Sequence, residues 1–139
     1  MAICVLDDML PLTCLVAASL LTPQITTTSD LVGDWEGLSL CTDKIAFPAV
    51  HDEQWICHVR AKDAKTVIVT INKVVNGKEV AMAPEPVAMD FDSKSATLSC
   101  RIVSGKTSEW TFHLNYSTWV GTAKNSDGKV FRDILVKRR

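Results

Sequence analysis

Along most of the chain, apolar and polar residues take turns. Trp110-Thr111-Phe112-His113-Leu114 sets two aromatics and a leucine on one face, with Thr111 and His113 on the other. Trp55, Cys57 and Val59 alternate with Ile56, His58 and Arg60. Val67, Val69 and Ile71 alternate with Ile68, Thr70 and Asn72, and Leu98, Cys100 and Ile102 with Ser99 and Arg101. A period of two marks antiparallel strands with one face on a core. The turns agree. Asn76-Gly77, between Val74-Val75 and Lys78-Glu79-Val80, accepts the positive φ that a type I′ hairpin needs. Asn125-Ser126-Asp127-Gly128 separates strands expected at 118–124 and 129–136, and Ser104-Gly105-Lys106 and Asn115-Tyr116-Ser117 mark two further reversals. Pro84 and Pro86 demote 82–89 to an edge strand or a bent corner. The stretch 42–54 fits either a loop or a short helix.

Counted this way, residues 31–139 hold roughly eight short strands and no helical period of useful length. A meander of that size closes into a small barrel, because closure removes exposed sheet edges. A two-sheet β-sandwich is the alternative. The expected fold class is therefore all-β, an antiparallel barrel behind a hydrophobic N-terminal leader.

The leader is read from charge. No Lys or Arg precedes Lys44, and residues 9–21 run MLPLTCLVAASLL. That run is shorter than the ~20 apolar residues a membrane span needs, but it fits the apolar region of a secretory signal. Ala17-Ala18-Ser19 offers a small-x-small cleavage pattern. The acids of MAICVLDD are unusual for an export signal, and a translation start at Met9 would remove them. The expected organisation is a signal peptide at 1–24, a polar linker at 25–30 and a barrel at 31–139. The expected location is extracytoplasmic, periplasmic or secreted.

Over the whole chain, fifteen Lys and Arg face sixteen Asp and Glu, a formal net charge of −1. Removal of residues 1–24 takes Asp7 and Asp8 with it and leaves +1. Either value argues against a nucleic-acid binder, which needs a clear basic excess. The body without its leader is not expected to span a membrane.

Gly33-Asp34-Trp35-Glu36-Gly37 on the first strand and Phe131-Arg132 through Lys137-Arg138 on the last resemble the calycin group of lipocalin-like and avidin-like barrels. Trp110, Val120-Gly121-Thr122 and the Phe131-Arg132 strand are also similar to uncharacterised exported bacterial barrel proteins. The calycin resemblance implies a Trp packed at the barrel base with a basic side chain across its ring. Here Gly33 and Trp35 would close the barrel, with Arg132 or Arg138 as the partner. A guanidinium over an indole gains about 0.5–2 kcal/mol.

Candidate chemistry is sparse. His51, Asp52, Glu53 and His58 form one cluster that could suggest a metal or hydrolytic site, but their spacing matches no recognised zinc pattern, and His58 falls on an outward face. No nucleophile elbow, phosphate-binding loop or His-Glu-x-x-His motif occurs, so no cofactor and no metal are expected and the chain reads as non-enzymatic. Of the five cysteines, Cys41, Cys57 and Cys100 follow the leader. Cys57 and Cys100 both face inward, as free thiols or a cross-barrel bridge. A Cys41–Cys57 disulfide would instead tie down the 42–54 loop, a closure worth about 3 kcal/mol in the chain-entropy model. Trp55, Trp110 and Phe112 point inward and are the candidate ligand-binding residues. Two functions follow: a barrel holding a small apolar or lipid-like ligand in its mouth, or a protein-interaction or envelope-accessory module with a solid core. A chamber of a few hundred Å³ at one barrel end would favour the first. A large exposed apolar patch would favour the second.

Overall fold

The computed structural model describes residues 23–139, so the expected leader lies outside the described residues but for its last two positions. Nine strands follow one another: β1 (Gly33–Cys41), β2 (Glu53–Ala61), β3 (Thr66–Val75), β4 (Lys78–Ala81), β5 (Val87–Asp92), β6 (Thr97–Ser104), β7 (Lys106–Leu114), β8 (Thr118–Lys124) and β9 (Val130–Arg138). Every pairing is antiparallel. The sheet runs β2-β1-β9-β8-β7-β6-β5-β3, and β3 then pairs with β2. The sandwich alternative is thereby excluded: eight strands form a closed barrel. The ninth, β4, is the return arm of the Asn76-Gly77 hairpin and pairs only with β3. Asn76 and Gly77 have φ of 52° and 76°, as a type I′ turn demands.

The expected inward residues do face inward. Trp55, Cys57, Val59, Val67, Val69, Leu98, Trp110 and Phe112 are buried in one core with Met89, Phe91, Trp119, Ala123, Ile134 and Val136. The segment 25–30 is not the linker its composition suggests. Ile25 and Leu31 join the core, and Thr28–Leu31 form a 3-10 turn. Asp30 fastens that turn, its carboxylate accepting the N–H groups of Thr26 and Thr27. The polar letters there make a cap rather than a tether. The stretch 42–52 is a loop, held by the Asp43 carboxylate accepting the N–H groups of Ile45 and Ala46.

The two barrel ends differ. At one, β1 begins and the 3-10 turn packs across the opening. At the other, β5 and β6 part company. They pair only from Asp90↔Ser99 to Asp92↔Thr97, whereas β6 pairs with β7 over its whole length. The remaining halves, Val87–Met89 and Cys100–Ser104, do not bond each other. Solvent therefore reaches inward-facing Ile71, Val87, Cys100 and Ile102, which are only half-buried.

Candidate functional site

The sealed end is built around Trp35. Its indole N–H donates to the Leu31 carbonyl at 3.0 Å, and Trp119 packs against it with ring centroids 4.9 Å apart. Of the two arginines the resemblance allowed, Arg138 covers the ring. Its guanidinium carbon lies 4.2 Å from the Trp35 centroid and 4.8 Å from that of Tyr116. The same guanidinium donates to the Asp30 and Tyr116 carbonyls, locking the 3-10 turn and the β7–β8 turn onto the indole. Gly33 starts β1 with φ of 132°, a conformation that L side chains rarely adopt.

Arg132, expected as a closure residue, sits at the opposite end. Strand geometry forces this, because six residues separate it from Arg138, about 20 Å at the usual rise. It donates to the Ser39 hydroxyl and the His51 carbonyl, each at 3.0 Å, and lies 3.4 Å from a Glu53 oxygen. Glu53 in turn accepts the Trp55 indole N–H at 3.0 Å. Above this buried belt the aromatics form a rank. Trp55 stacks on Trp110 at 5.7 Å, Phe131 meets Trp110 edge-on at 6.0 Å, and Phe47 from the 42–52 loop lies 6.1 Å from Phe131. A β-bulge turns Phe131 inward. Ala123 pairs with Arg132 and Lys124 with Val130, leaving Phe131 as the extra residue.

The rim of this open end carries apolar side chains where turns are ordinarily polar. Ile45 is 95% exposed, Val103 on the outward face of β6 is 75% exposed, and Val75, Val80 and Met82 of the β3–β4 hairpin are exposed as well. The open end thus carries exposed apolar side chains, interspersed with exposed Lys78, Lys106 and Lys129, near half-buried Ile71, Val87, Cys100 and Ile102 and the Trp55–Trp110 stack. The chamber that a ligand-holding barrel was expected to show is not what the interior offers. Trp35, Trp55, Trp119 and Phe112 fill it, each almost completely buried. Among the described residues, depressions of about 290–490 Å³ lie on the outer wall and at turn tips, and one of about 300 Å³ beside the β5–β6 split is lined by Cys100 and Trp110. Phe112, a candidate ligand residue, is core packing against Trp119 at 5.8 Å. Trp119 Nε1 is a buried donor with no protein partner, and leaving such a group unmet costs about 1–3 kcal/mol.

The His51–His58 cluster does not converge. His51 lends its carbonyl to Arg132, and Asp52 accepts the Cys41 N–H and pairs with Lys44. Glu53 turns inward to Arg132 and Trp55. His58 stands on the outer wall, bonded to Asp34 at 2.7 Å and to Glu79 at 2.6 Å. Those carboxylates, Asp34 foremost, raise its pKa above the ordinary 6.5. No group of three His, Cys, Asp or Glu residues able to hold a metal occurs among the described residues. Nor does the expected Cys41–Cys57 bridge form. Cys57 lies opposite Trp35, and Cys41 is six residues further along β1, roughly 20 Å away where a disulfide needs less than about 7 Å between Cα atoms. Burial pushes the Cys57 thiol up to about 12. Burial, with Asp90 nearby, pushes that of Cys100 up to about 11, so neither offers a reactive thiolate near neutral pH.

No family model matches the chain, and no curated protein does. Several solved structures share the architecture. One is a redesigned β-barrel, b11L5F_LGL, 13% identical, with a TM-score of 0.57 over 85% of this chain and 98% of that one. Another is the redesigned β-barrel mFAP1 bound to DFHBI, 11% identical, with a TM-score of 0.56 over 82% of this chain and 99% of that one. The likeness establishes a small antiparallel barrel, coarsely the shape that the calycin resemblance implied.

Proposed function

We propose that this protein is a non-enzymatic binding barrel that works at its open end, where it takes up a small apolar molecule. One observation carries the proposal: apolar side chains are exposed or half-buried at that end, from Ile45 and Val103 at the rim to Ile102 and Cys100 below it. Exposed apolar groups gathered on a soluble surface mark a binding face. The site is a shallow seat on the Trp55–Trp110 floor, which suits a flat, compact molecule better than a long chain. That a redesigned barrel of this shape carries DFHBI supports the reading. Its non-enzymatic character is supported by the fates of Asp52, Glu53 and His58, whose side chains are spent on structural partners. Export is part of the proposal, supported by the base-free apolar N-terminus and its Ala17-Ala18-Ser19 pattern.

The test is a titration with 8-anilinonaphthalene-1-sulfonate, followed by energy transfer from the tryptophans. Saturable one-to-one binding that Ile102→Lys abolishes, with the melting curve preserved, is expected. Binding that ignores Ile102→Lys, or none at all, would overturn the seat. The second reading, a solid-core module docking a protein on the same rim, would then stand on Ile45 and Val103 alone. Native mass spectrometry of protein from its own cells reads leader cleavage and any bound molecule together.

A further inference from the structure

We infer that the outer wall of β8, β9 and β1 is the contact face of a two-fold symmetric dimer of this chain. Three outward aliphatics stand on consecutive strands in direct register: Val120 opposite Leu135, and Leu135 opposite Leu38. They are 53%, 44% and 51% exposed, and Leu40 beside them is 41% exposed. Outward positions of an antiparallel barrel are ordinarily polar, and Thr111, His113, Asp34, His58 and Arg60 follow that rule, while outward Ile56 on β2 is buried rather than exposed. The stripe therefore stands out, and it borders a depression of about 320 Å³ running between Leu38, Leu40 and Leu135.

The charges around the stripe select the occupant. Along β9, Asp133 and Lys137 lie two residues to either side of Leu135, and both are exposed. A two-fold axis lying in the contact plane along the Val120–Leu135–Leu38 rung reverses the strand direction of the second copy. Leu135 then meets its own counterpart, and each Asp133 faces the Lys137 of the other copy, twice over. The neighbouring rungs follow: Thr118 meets Thr122, and Glu36, held by Arg139 at 3.6 Å, lies against Leu40. An axis along the strands would instead set Asp133 on Asp133 and Lys137 on Lys137, and it is excluded by repulsion. Self-complementarity of this kind is what an isologous interface requires. A lipid surface would have to desolvate both Asp133 and Lys137 without pairing either. The reversal of strand direction also points the two open ends away from each other, so both seats stay accessible.

A patch three strands wide falls at the small end of interface sizes, so association in the range of about 10 µM to 1 mM is expected. Sedimentation velocity of the purified protein across that range tests it, at low and high salt. The expected result is a concentration-dependent dimer that Leu135→Lys weakens by about tenfold or more. Asp133→Lys should weaken it as well, and the double reversal Asp133→Lys with Lys137→Asp should restore it. Melting curves confirm that each variant is folded, which matters most for Lys137→Asp because it faces Glu36 across the strand pair. A monomer throughout, a dimer indifferent to Leu135→Lys, or a double reversal no better than the single one would each overturn the inference. None of these outcomes bears on the open-end seat, whose residues lie elsewhere.

Discussion

The barrel's two ends are furnished with the same residue types and put them to opposite uses. Each has an arginine from β9 near a tryptophan on a strand paired in the same wall. At the sealed end, Arg138 meets Trp35 face-on and spends its donors on the carbonyls of Asp30 and Tyr116, without any carboxylate. At the open end, Arg132 reaches Trp55 only through Glu53, which pairs with the guanidinium and accepts the indole N–H. The first arrangement excludes water and bolts the 3-10 turn to the wall. The second keeps a buried charge paired beneath a mouth that solvent still enters. The Trp is covered at the first end, and the apolar lining is left half-open at the second. Two strands that part company at one end, β5 and β6, account for much of this difference.

The sharpest way to break the comparison is to empty the plug. Trp35→Ala should cost about 3–5 kcal/mol in a denaturant titration, whereas Trp110→Ala, whose ring abuts the open lining, should fall at or below the bottom of that range. Equal losses would mean that the two ends are packed alike. Next in size, Arg138→Ala removes a stacked cation and two hydrogen bonds to carbonyls, an expected loss of about 2–3 kcal/mol, with hydrogen exchange accelerating at residues 28–31. Glu53→Gln should cost less, about 1–2 kcal/mol, because Arg132 keeps its bonds to the Ser39 hydroxyl and the His51 carbonyl and the amide oxygen can still accept. An effect larger than that of Arg138→Ala would invert the ranking of the ends. Smaller still for the fold, Ile45→Ser combined with Val103→Ser should move stability by no more than about 0.5 kcal/mol. That pair should nevertheless lower the affinity for the dye several-fold.

The mildest expected effect concerns His58, which connects Asp34 near the sealed end to Glu79 on the open-end hairpin. Both ring nitrogens face carboxylates, and only the imidazolium can donate to both. Its folded pKa is raised above 6.5, by the Asp34 bond first and the Glu79 bond second. The linked stability is therefore fully present below 6.5 and is lost as pH rises through the folded value. His58→Gln should flatten a shallow alkaline decline in the melting temperature of the wild type. A decline that survives the substitution would assign the titration to another group.

Much of this was legible in the order of residues. Period-two alternation placed Trp55, Cys57, Val59, Val67, Val69, Leu98, Trp110 and Phe112 correctly, since the pleat alone sets which face a residue takes. It did not place Met89 and Phe91, which follow the two prolines. Asn76-Gly77 announced its hairpin, because few other pairs accept two positive φ angles in succession. The failures share a cause. Cys41 and Cys57 looked like neighbours across a loop, yet the register of β1 on β2 holds them far apart. Residues 25–30 looked like a tether because local polarity cannot reveal that Ile25 and Leu31 lie over an opening made by distant strands. The His51–His58 cluster, whose spacing already argued against a metal site, is spread over faces and ends by the same register.

By itself, then, the sequence determined the strand class, the turns and the inward faces, which depend on interactions within a few residues. The tryptophan plug with a basic cover was implied only by the calycin resemblance. Only the tertiary structure decided that the barrel closes through β2 and β3, that Arg138 rather than Arg132 covers Trp35, and that β5 and β6 part at one end. It alone set Val120, Leu135 and Leu38 side by side. Each of these depends on strand register, and one residue of slip would turn every side chain of a strand to the other face. Register is settled by packing of the whole core, which no local stretch of sequence contains.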